Sequence, residues 1–300
     1  MNLRSSHATP WAYDAALILC GLVAFGVFFL SVGRGGLWRI IGILVVCALA
    51  LIVYAAFLEP RILRVTRYRE ALVPDPRVWL RVAFLSDLHA GGFRKREWYE
   101  RIVRETQALR PDIVVGGGDF VADLVEHVSD LSPLRDLVAG LGKVFVLGNH
   151  DYIDRPQSVR SALGSYGFAD LTNGSITFVH DGAKLEITGV DDHWRGDPVI
   201  AKRTSADIPR LVVAHEPDVC MDLKEGDADL VIAGHTHGGQ VRLPFIGPVY
   251  PIPSKLGRAV DQGRKIVNGT RLIVSRGLGE EEARVRLFCP AEVVIVDVGI

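Results

Sequence analysis

The sequence predicts an α/β domain of two packed sheets with outer helices, preceded by a two-helix membrane hairpin. Three observations carry this. Strand-like and helix-like segments alternate from Arg81 to Leu147. The second half holds many short apolar strands with few helices between them, which suits stacked sheets. The chain opens with two runs almost free of charge, Ala15 to Gly33 and Ile40 to Leu58.

Each opening run is about 19 residues, which at about 1.5 Å per residue crosses a bilayer core roughly 30 Å thick. Trp11, Tyr13, Trp38 and Tyr54 lie near the run ends, as interfacial aromatics do. Gly33-Arg34-Gly35-Gly36 leaves room only for a tight turn, hence an antiparallel pair with helices at about 15–33 and 40–58. A cleaved signal peptide would have a shorter apolar region and a basic lead, whereas only Arg4 precedes the first run. Arg4, Arg61, Arg64, Arg67 and Arg69 flank the pair, against Arg34 and Arg39 in the turn, so both ends and the following domain are expected in the cytoplasm of an inner-membrane, multi-pass protein.

The organisation then reads 1–59 as hairpin, 60–79 as a polar juxtamembrane connector with Pro60, Pro74 and Pro76, and 80–300 as the main domain. Within it, Val82 to Ser86, Asp112 to Val115 and Val144 to Leu147 read as buried strands. Arg96 to Leu109, Val125 to Ala139 and Ser158 to Tyr166 read as helices between and after them. Ile176–His180, Leu185–Val190, Leu211–Ala214, Leu230–Ala233, Gln240–Leu243, Leu272–Ser275 and Val293–Val298 are the later strands.

Five polar clusters sit where strand-like runs end: Asp87-Leu88-His89, Gly118-Asp119, Gly148-Asn149-His150-Asp151, His215, and Gly234-His235-Thr236-His237. Ligand sites in open α/β sheets form beyond the carboxyl ends of strands, so one fold can gather all five. Their mixture of imidazole and carboxylate suits divalent first-row cations. Any one cluster alone would be a capped turn or an ordinary loop; together they point to a metal site. Gly116-Gly117-Gly118 lacks the Gly-Lys-Ser/Thr ending of a phosphate-cradling P-loop.

The ordered set resembles the calcineurin-like metallophosphoesterase family over roughly residues 80–298. The resemblance implies a four-layer α-β-β-α sandwich and a metal-dependent phosphoric ester hydrolase with two divalent cations (manganese, iron, zinc or cobalt). It implies that Asp87, His89 and His237 hold one cation, that Asn149, His215 and His235 hold the second, and that Asp119 bridges them. His150 is then a catalytic residue that touches phosphate or protonates the leaving oxygen, with Asp151 as its orienting partner. Gly189-Val190-Asp191-Asp192, the segment Gly234 to Gln240, Leu243-Pro244 and Ser275-Arg276-Gly277-Leu278-Gly279 resemble a bacterial membrane-associated branch that includes broad phosphodiesterases and enzymes similar to UDP-2,3-diacylglucosamine diphosphatases of lipid A synthesis. The acidic run Glu280 to Glu282 departs from that branch. His193, Arg276 and Arg286 are candidate substrate contacts. Expected partners are a phosphorylated, lipid-linked substrate and the bilayer. The alternatives are a tethered broad-specificity phosphomonoesterase or nucleotide phosphodiesterase, and a non-catalytic membrane scaffold, which the intact ligand set disfavours.

A formal net charge of −1 gives no reason to expect a nucleic acid partner. Cys20 and Cys47 fall in the apolar runs, and Cys220 and Cys289 are isolated, so no disulfide framework or zinc knuckle is expected.

Overall fold

The computed structural model describes residues 10–32 and 36–300. Arg4, Arg34 and the side chains of Trp11 and Tyr13, which entered the orientation and interface arguments, lie outside the described part. Two helices, α1 (Pro10–Val32) and α2 (Leu37–Val53), pack on each other. They approach closely at Gly42, where a Cβ would meet Ser31 Oγ at 2.0 Å. The apolar side chains Leu22, Phe25, Phe29, Ile40 and Leu44 face outward. Helical winding continues past α2, so Leu37–Arg61 is long and apolar enough to cross a membrane, while Ile18–Ser31 is a shorter apolar helix.

The first sheet runs in the order β1-β14-β2-β3-β4-β5. Its members are β1 (Leu63–Ala71), β2 (Trp79–Leu85), β3 (Ile113–Gly117), β4 (Gly142–Val146), β5 (Ala169–Asp170) and β14 (Ala291–Gly299). Strands β2 to β5 are parallel, as βαβ crossovers require, with α3 (Arg96–Ala108) and α4 (Pro156–Ser165) on the outer face. The second sheet is β12-β13-β9-β8-β7-β6. It is built from β6 (Ser175–His180), β7 (Ala183–Gly189), β8 (Arg210–Val213), β9 (Leu230–Ala233), β12 (Gly263–Val267) and β13 (Thr270–Val274). A ribbon of β10 (Arg242–Leu243) and β11 (Gly247–Pro248) stands apart from both.

Alternation places one face of each sheet in a shared core. Val82, Phe84, Val115, Val144 and Val146 of the first sheet meet Leu185, Ile187, Val213 and Ile232 of the second. The other face of the first sheet packs Ala83, Leu85, Val114 and Phe145 against Trp98, Tyr99 and Ile102 of α3 and Val159 and Leu163 of α4. The outer face of the second sheet is covered by Val219, Cys220 and Val260 from short 3₁₀ turns. Among the described residues that fourth layer holds no α-helix, unlike the expected α-β-β-α arrangement.

Three further expectations need correcting. Residues 60–79 are not a free connector: β1 pairs with β14 in parallel, and β2 begins at Trp79. Arg64, Arg67 and Arg69 are exposed on this edge strand, where charge discourages unwanted pairing, and this basic pattern imitates a juxtamembrane tract. Residues 125–136 form 3₁₀ turns instead of an α-helix, since Pro133 removes an amide donor and Ser129 bonds back to the Glu126 carbonyl. Strand β12 was not anticipated, because Gly263-Arg264-Lys265 has little apolar content.

The end of α2 is clamped to the domain. The buried Glu59 carboxylate accepts the amides of Phe288, at 2.8 Å, and Cys289. The Ala55 carbonyl accepts Arg286 N at 2.9 Å.

Candidate metal centre

The five polar clusters follow β2, β3, β4, β8 and β9 directly, all at carboxyl ends of parallel strands. The loops are stitched together before any side chain acts. Asp87 N donates to Gly118 O at 2.9 Å, His89 N to Asp119 O at 3.0 Å, and Gly234 N to His215 O at 2.9 Å. Asp87, Asp119, His89, His235 and His237 all adopt left-handed φ, between 47° and 67°. Asp and His tolerate that region better than most residues, yet each such position costs about 1–3 kcal/mol and persists only where its surroundings impose it. Glycine is needed at two close approaches. A Cβ on Gly148 would lie 2.4 Å from Asp119 Oδ1, and one on Gly234 would lie 2.5 Å from Asp87 Oδ2.

The side chains converge. His215 Nε2 is 3.1 Å from Asp119 Oδ2, and His89 Nε2 is 3.5 Å from the same oxygen. His237 Nε2 lies 3.5 Å from Asp87 Oδ1 and 3.1 Å from His89 Nε2. His235 Nδ1 is 3.3 Å from His215 Nε2. The potential ligand atoms of Asp87, His89 and His237 lie within 4.8 Å of one another, and so do those of Asp119, His215 and His235. His215 Nδ1 donates to Gly117 O at 2.8 Å, which fixes its tautomer and frees Nε2 toward Asp119. Asn149, between Gly148 and His150 in the loop after β4, is buried.

The residues fit divalent cations. Asp87 Oδ2, Asn149 Oδ1, His235 Nε2 and His237 Nδ1 are buried without a hydrogen-bond partner among the described residues. Buried polar atoms normally find partners, so several orphans converging in one place require an explanation. Imidazole nitrogens facing each other at 3.1 Å need a shared proton or cation to offset lone-pair repulsion. A set of four histidines, two aspartates and an asparagine meets both needs.

Electrostatics of the protein alone separate these groups. Burial works against charge on His215, but Asp119, then Asp87 and Glu216, outweigh it and hold the imidazolium well above its usual range. Burial would also raise Asp119, yet His215, His150 and His89 depress it well below an ordinary carboxylate. His89 goes the other way, lowered by burial and by the charge of His150.

His150 lies at the rim. Its backbone N donates to Asp119 Oδ1 at 2.9 Å, and its ring contacts the Ala122 carbonyl and Glu281 Oε1, the latter at 3.0 Å. Burial opposes the imidazolium, but Asp119, Glu281 and the Ala122 carbonyl together lift its pKa to about 10. Glu281 is held at about 2 because His150, then His237 and His89, outweigh its own burial. A cationic ring at the mouth of a phosphate-sized site can neutralise charge or give up a proton. His150→Ala is therefore expected to lower kcat by about 10²-fold or more, with bound metal unchanged by elemental analysis. Loss of metal from that variant would make His150 a ligand instead.

Four expected roles are not supported by the geometry. Asp151 does not touch the His150 ring; its carboxylate accepts Phe120 N at 2.8 Å, Val121 N at 3.1 Å and Gly148 N at 3.0 Å. Arg276 is turned to Glu292 and to Thr66 Oγ1, the latter at 3.0 Å. Arg286 is fully buried and donates to the carbonyls of Cys289, Arg276, Gly277 and Gly279 beside Glu280. Neither guanidinium is available to phosphate. His193 is held by Asp222 Oδ2 at 3.0 Å and lies 3.7 Å from Glu216 Oε2. Two residues were missed. Glu281 belongs to the acidic run that had read only as a departure. Trp194 sets its ring edge-on to His235 with centroids 4.5 Å apart, and its neighbour His193 was its only signal.

A cleft of about 440 Å³ opens beside the centre, and His237, Glu281 and Trp194 meet apolar walls from Val241, Tyr250 and Val285 there.

Comparison with known proteins agrees with this geometry. The profile of the calcineurin-like phosphoesterase family matches residues 80–239. The chain is 30% identical over 252 residues to the uncharacterized metallophosphoesterase YkuE of Bacillus subtilis (strain 168), covering 81% of this chain and 87% of that one. It is 29% identical over 250 residues to the phosphodiesterase YaeI of Escherichia coli (strain K12), covering 81% and 91%. An uncharacterized metallophosphoesterase of Aquifex aeolicus (strain VF5) is 30% identical over 253 residues, covering 80% and 94%.

Proposed function

The chain belongs to the calcineurin-like phosphoesterase family and is a metal-dependent phosphoric ester hydrolase, and from that premise we propose that it is a membrane-anchored enzyme cleaving a phosphodiester or diphosphate bond in a lipid-linked substrate. The observation that carries the reading is the cluster of buried ligand atoms gathered from five strand ends, of which Asp87, Asn149, His235 and His237 each hold one without a partner among the described residues. Asp87, His89 and His237 would hold one cation, and Asn149, His215 and His235 a second, with Asp119 serving both. Two divalent cations in such a site acidify an attacking water and offset phosphoryl charge.

The chain's own residues supply the rest. Asp119 fixes the amide of His150, so the rim imidazolium is placed relative to the ligand loops. Glu281 holds that ring from its other side and keeps it charged. Proton donation to the leaving oxygen then falls to His150 Nε2. Trp194, Tyr250 and Val241 give the cleft an apolar wall suited to an acyl or glycolipid group. The hairpin of α1 and α2 would raise the enzyme's effective concentration at the bilayer, with the domain on the cytoplasmic side.

Purified protein in detergent, supplied with Mn²⁺, is to be assayed on UDP-2,3-diacylglucosamine and on bis(p-nitrophenyl) phosphate. The expected result is a higher kcat/KM for the lipid. Equal or better turnover of the soluble diester would favour the tethered broad-specificity reading. No large insertion separates His150 from His215, where the described chain contains α4 and β5 to β8, and that observation favours the alternative.

A further inference from the structure

We propose that the tip of the β10–β11 ribbon, Leu243-Pro244-Phe245-Ile246, is a second membrane contact that dips into the lipid headgroup region beside the cleft. Phe245 is 109% exposed and Ile246 61%, with Val249, Tyr250 and Phe288 also exposed nearby in the chain or in the adjoining segment. Contiguous large apolar groups on a surface mark an interaction site. Phe245 also has φ 66°, a region that bulky residues rarely enter, so the turn holds its ring outward at a conformational cost.

The charge around the tip selects the partner. From Gly238 to Val260 the chain contains Arg242, Lys255 and Arg258 and no acidic residue; Arg242 is paired with Asp261 at 2.9 Å, which leaves Lys255 and Arg258 as the collar. Lys255 and Arg258 are exposed, and Arg258 donates to Pro248 O at 2.9 Å, under the tip. Apolar residues above a basic collar are the pattern of segments that lie in an anionic bilayer surface.

Continuity with the anchor places that surface. Ala55 and Glu59, at the end of the candidate spanning helix, hydrogen-bond to Arg286, Phe288 and Cys289. On its other side the same segment pairs with the ribbon: Arg242 N donates to Leu287 O at 2.9 Å, and Leu287 N to Gln240 O at 2.9 Å. One strand spacing, about 4.8 Å, therefore separates the segment clasped by the helix from the base of the ribbon. Tyr250, just past the ribbon, lines the cleft. The tip, the helix exit and the cleft mouth are neighbours, and a lipid headgroup released at the tip has a short path inward.

The inference rests on membrane anchoring as proposed above, and the test separates the two. Full-length protein with Cys20 and Cys47 replaced by serine carries an environment-sensitive fluorophore at Phe245→Cys or, as a control on α4, at Ser165→Cys. Each is reconstituted into phosphatidylcholine vesicles with about one-third phosphatidylglycerol, with and without doxyl-labelled lipid. We expect flotation of both, and emission quenched about twofold at 245 but not at 165. A floating protein whose label at 245 behaves like that at 165 overturns the tip contact alone. Protein that does not float overturns the anchor and the tip contact together. Phe245→Asp/Ile246→Asp should leave hydrolysis of bis(p-nitrophenyl) phosphate in detergent unchanged. A fall there would make the tip part of the reaction site and overturn its assignment to lipid.

Discussion

Asp119→Asn should reduce turnover of bis(p-nitrophenyl) phosphate by about 10³-fold or more. The substitution isolates charge from structure. Asparagine accepts the left-handed φ of 53° at this position, and a carboxamide oxygen can still receive His150 N. What disappears is an anion lying 3.1 Å from His215 Nε2 and 3.5 Å from His89 Nε2, between the two groups of ligands. Bound metal measured by elemental analysis should fall with activity, while the thermal midpoint of metal-free protein stays near that of the parent. A variant within about tenfold of parental kcat at saturating Mn²⁺ would remove Asp119 from the centre of the mechanism.

Asp151→Ala should be among the most destabilising single changes in the domain, and mainly for reasons other than catalysis. Its carboxylate is 1% exposed and serves three backbone donors, two in the loop after β3 and one in the loop after β4. Leaving each buried amide unpaired costs about 1–3 kcal/mol, and so the three together cost about 3–9 kcal/mol. For a domain of this size that lowers Tm by about 10 °C or more. Asp151→Asn retains one acceptor oxygen and should fall between the two. Scanning calorimetry decides it: an unchanged Tm with a large loss of kcat would restore the orienting role that the sequence suggested.

The residues that gather at the centre were legible because their chemistry is local. A short apolar strand that stops at Asp-x-His or Gly-Asn-His-Asp announces both the end of the strand and the type of ligand. The strands β2, β3, β4, β8 and β9 that deliver them are mostly apolar and rich in Val, Ile and Leu, as strands covered on both faces should be. Roles that depend on the direction of a side chain were not legible. Asp151 follows His150 in sequence, but its carboxylate points back to the β3 loop, and nothing in the spacing separates these outcomes. Arg276 and Arg286 were candidate phosphate ligands through their place in and just after the Ser275–Gly279 segment, yet Glu292, Glu280 and four backbone carbonyls occupy them. Edge strands β1 and β12 were hidden by their arginine and lysine content, since only one side of an edge needs to be apolar.

The Glu59 clasp has a mechanical consequence. A catalytic body hung on a slack linker would sample many heights and tilts, and could work on molecules well above the surface. Here the last turn of a bilayer-length helix is pinned to the same short segment that carries Glu281 and borders the cleft. In the membrane-anchored reading proposed above, such a mount would fix elevation and pitch, so that the enzyme would patrol a thin slab of its own leaflet in two dimensions and turn over what diffuses laterally into it.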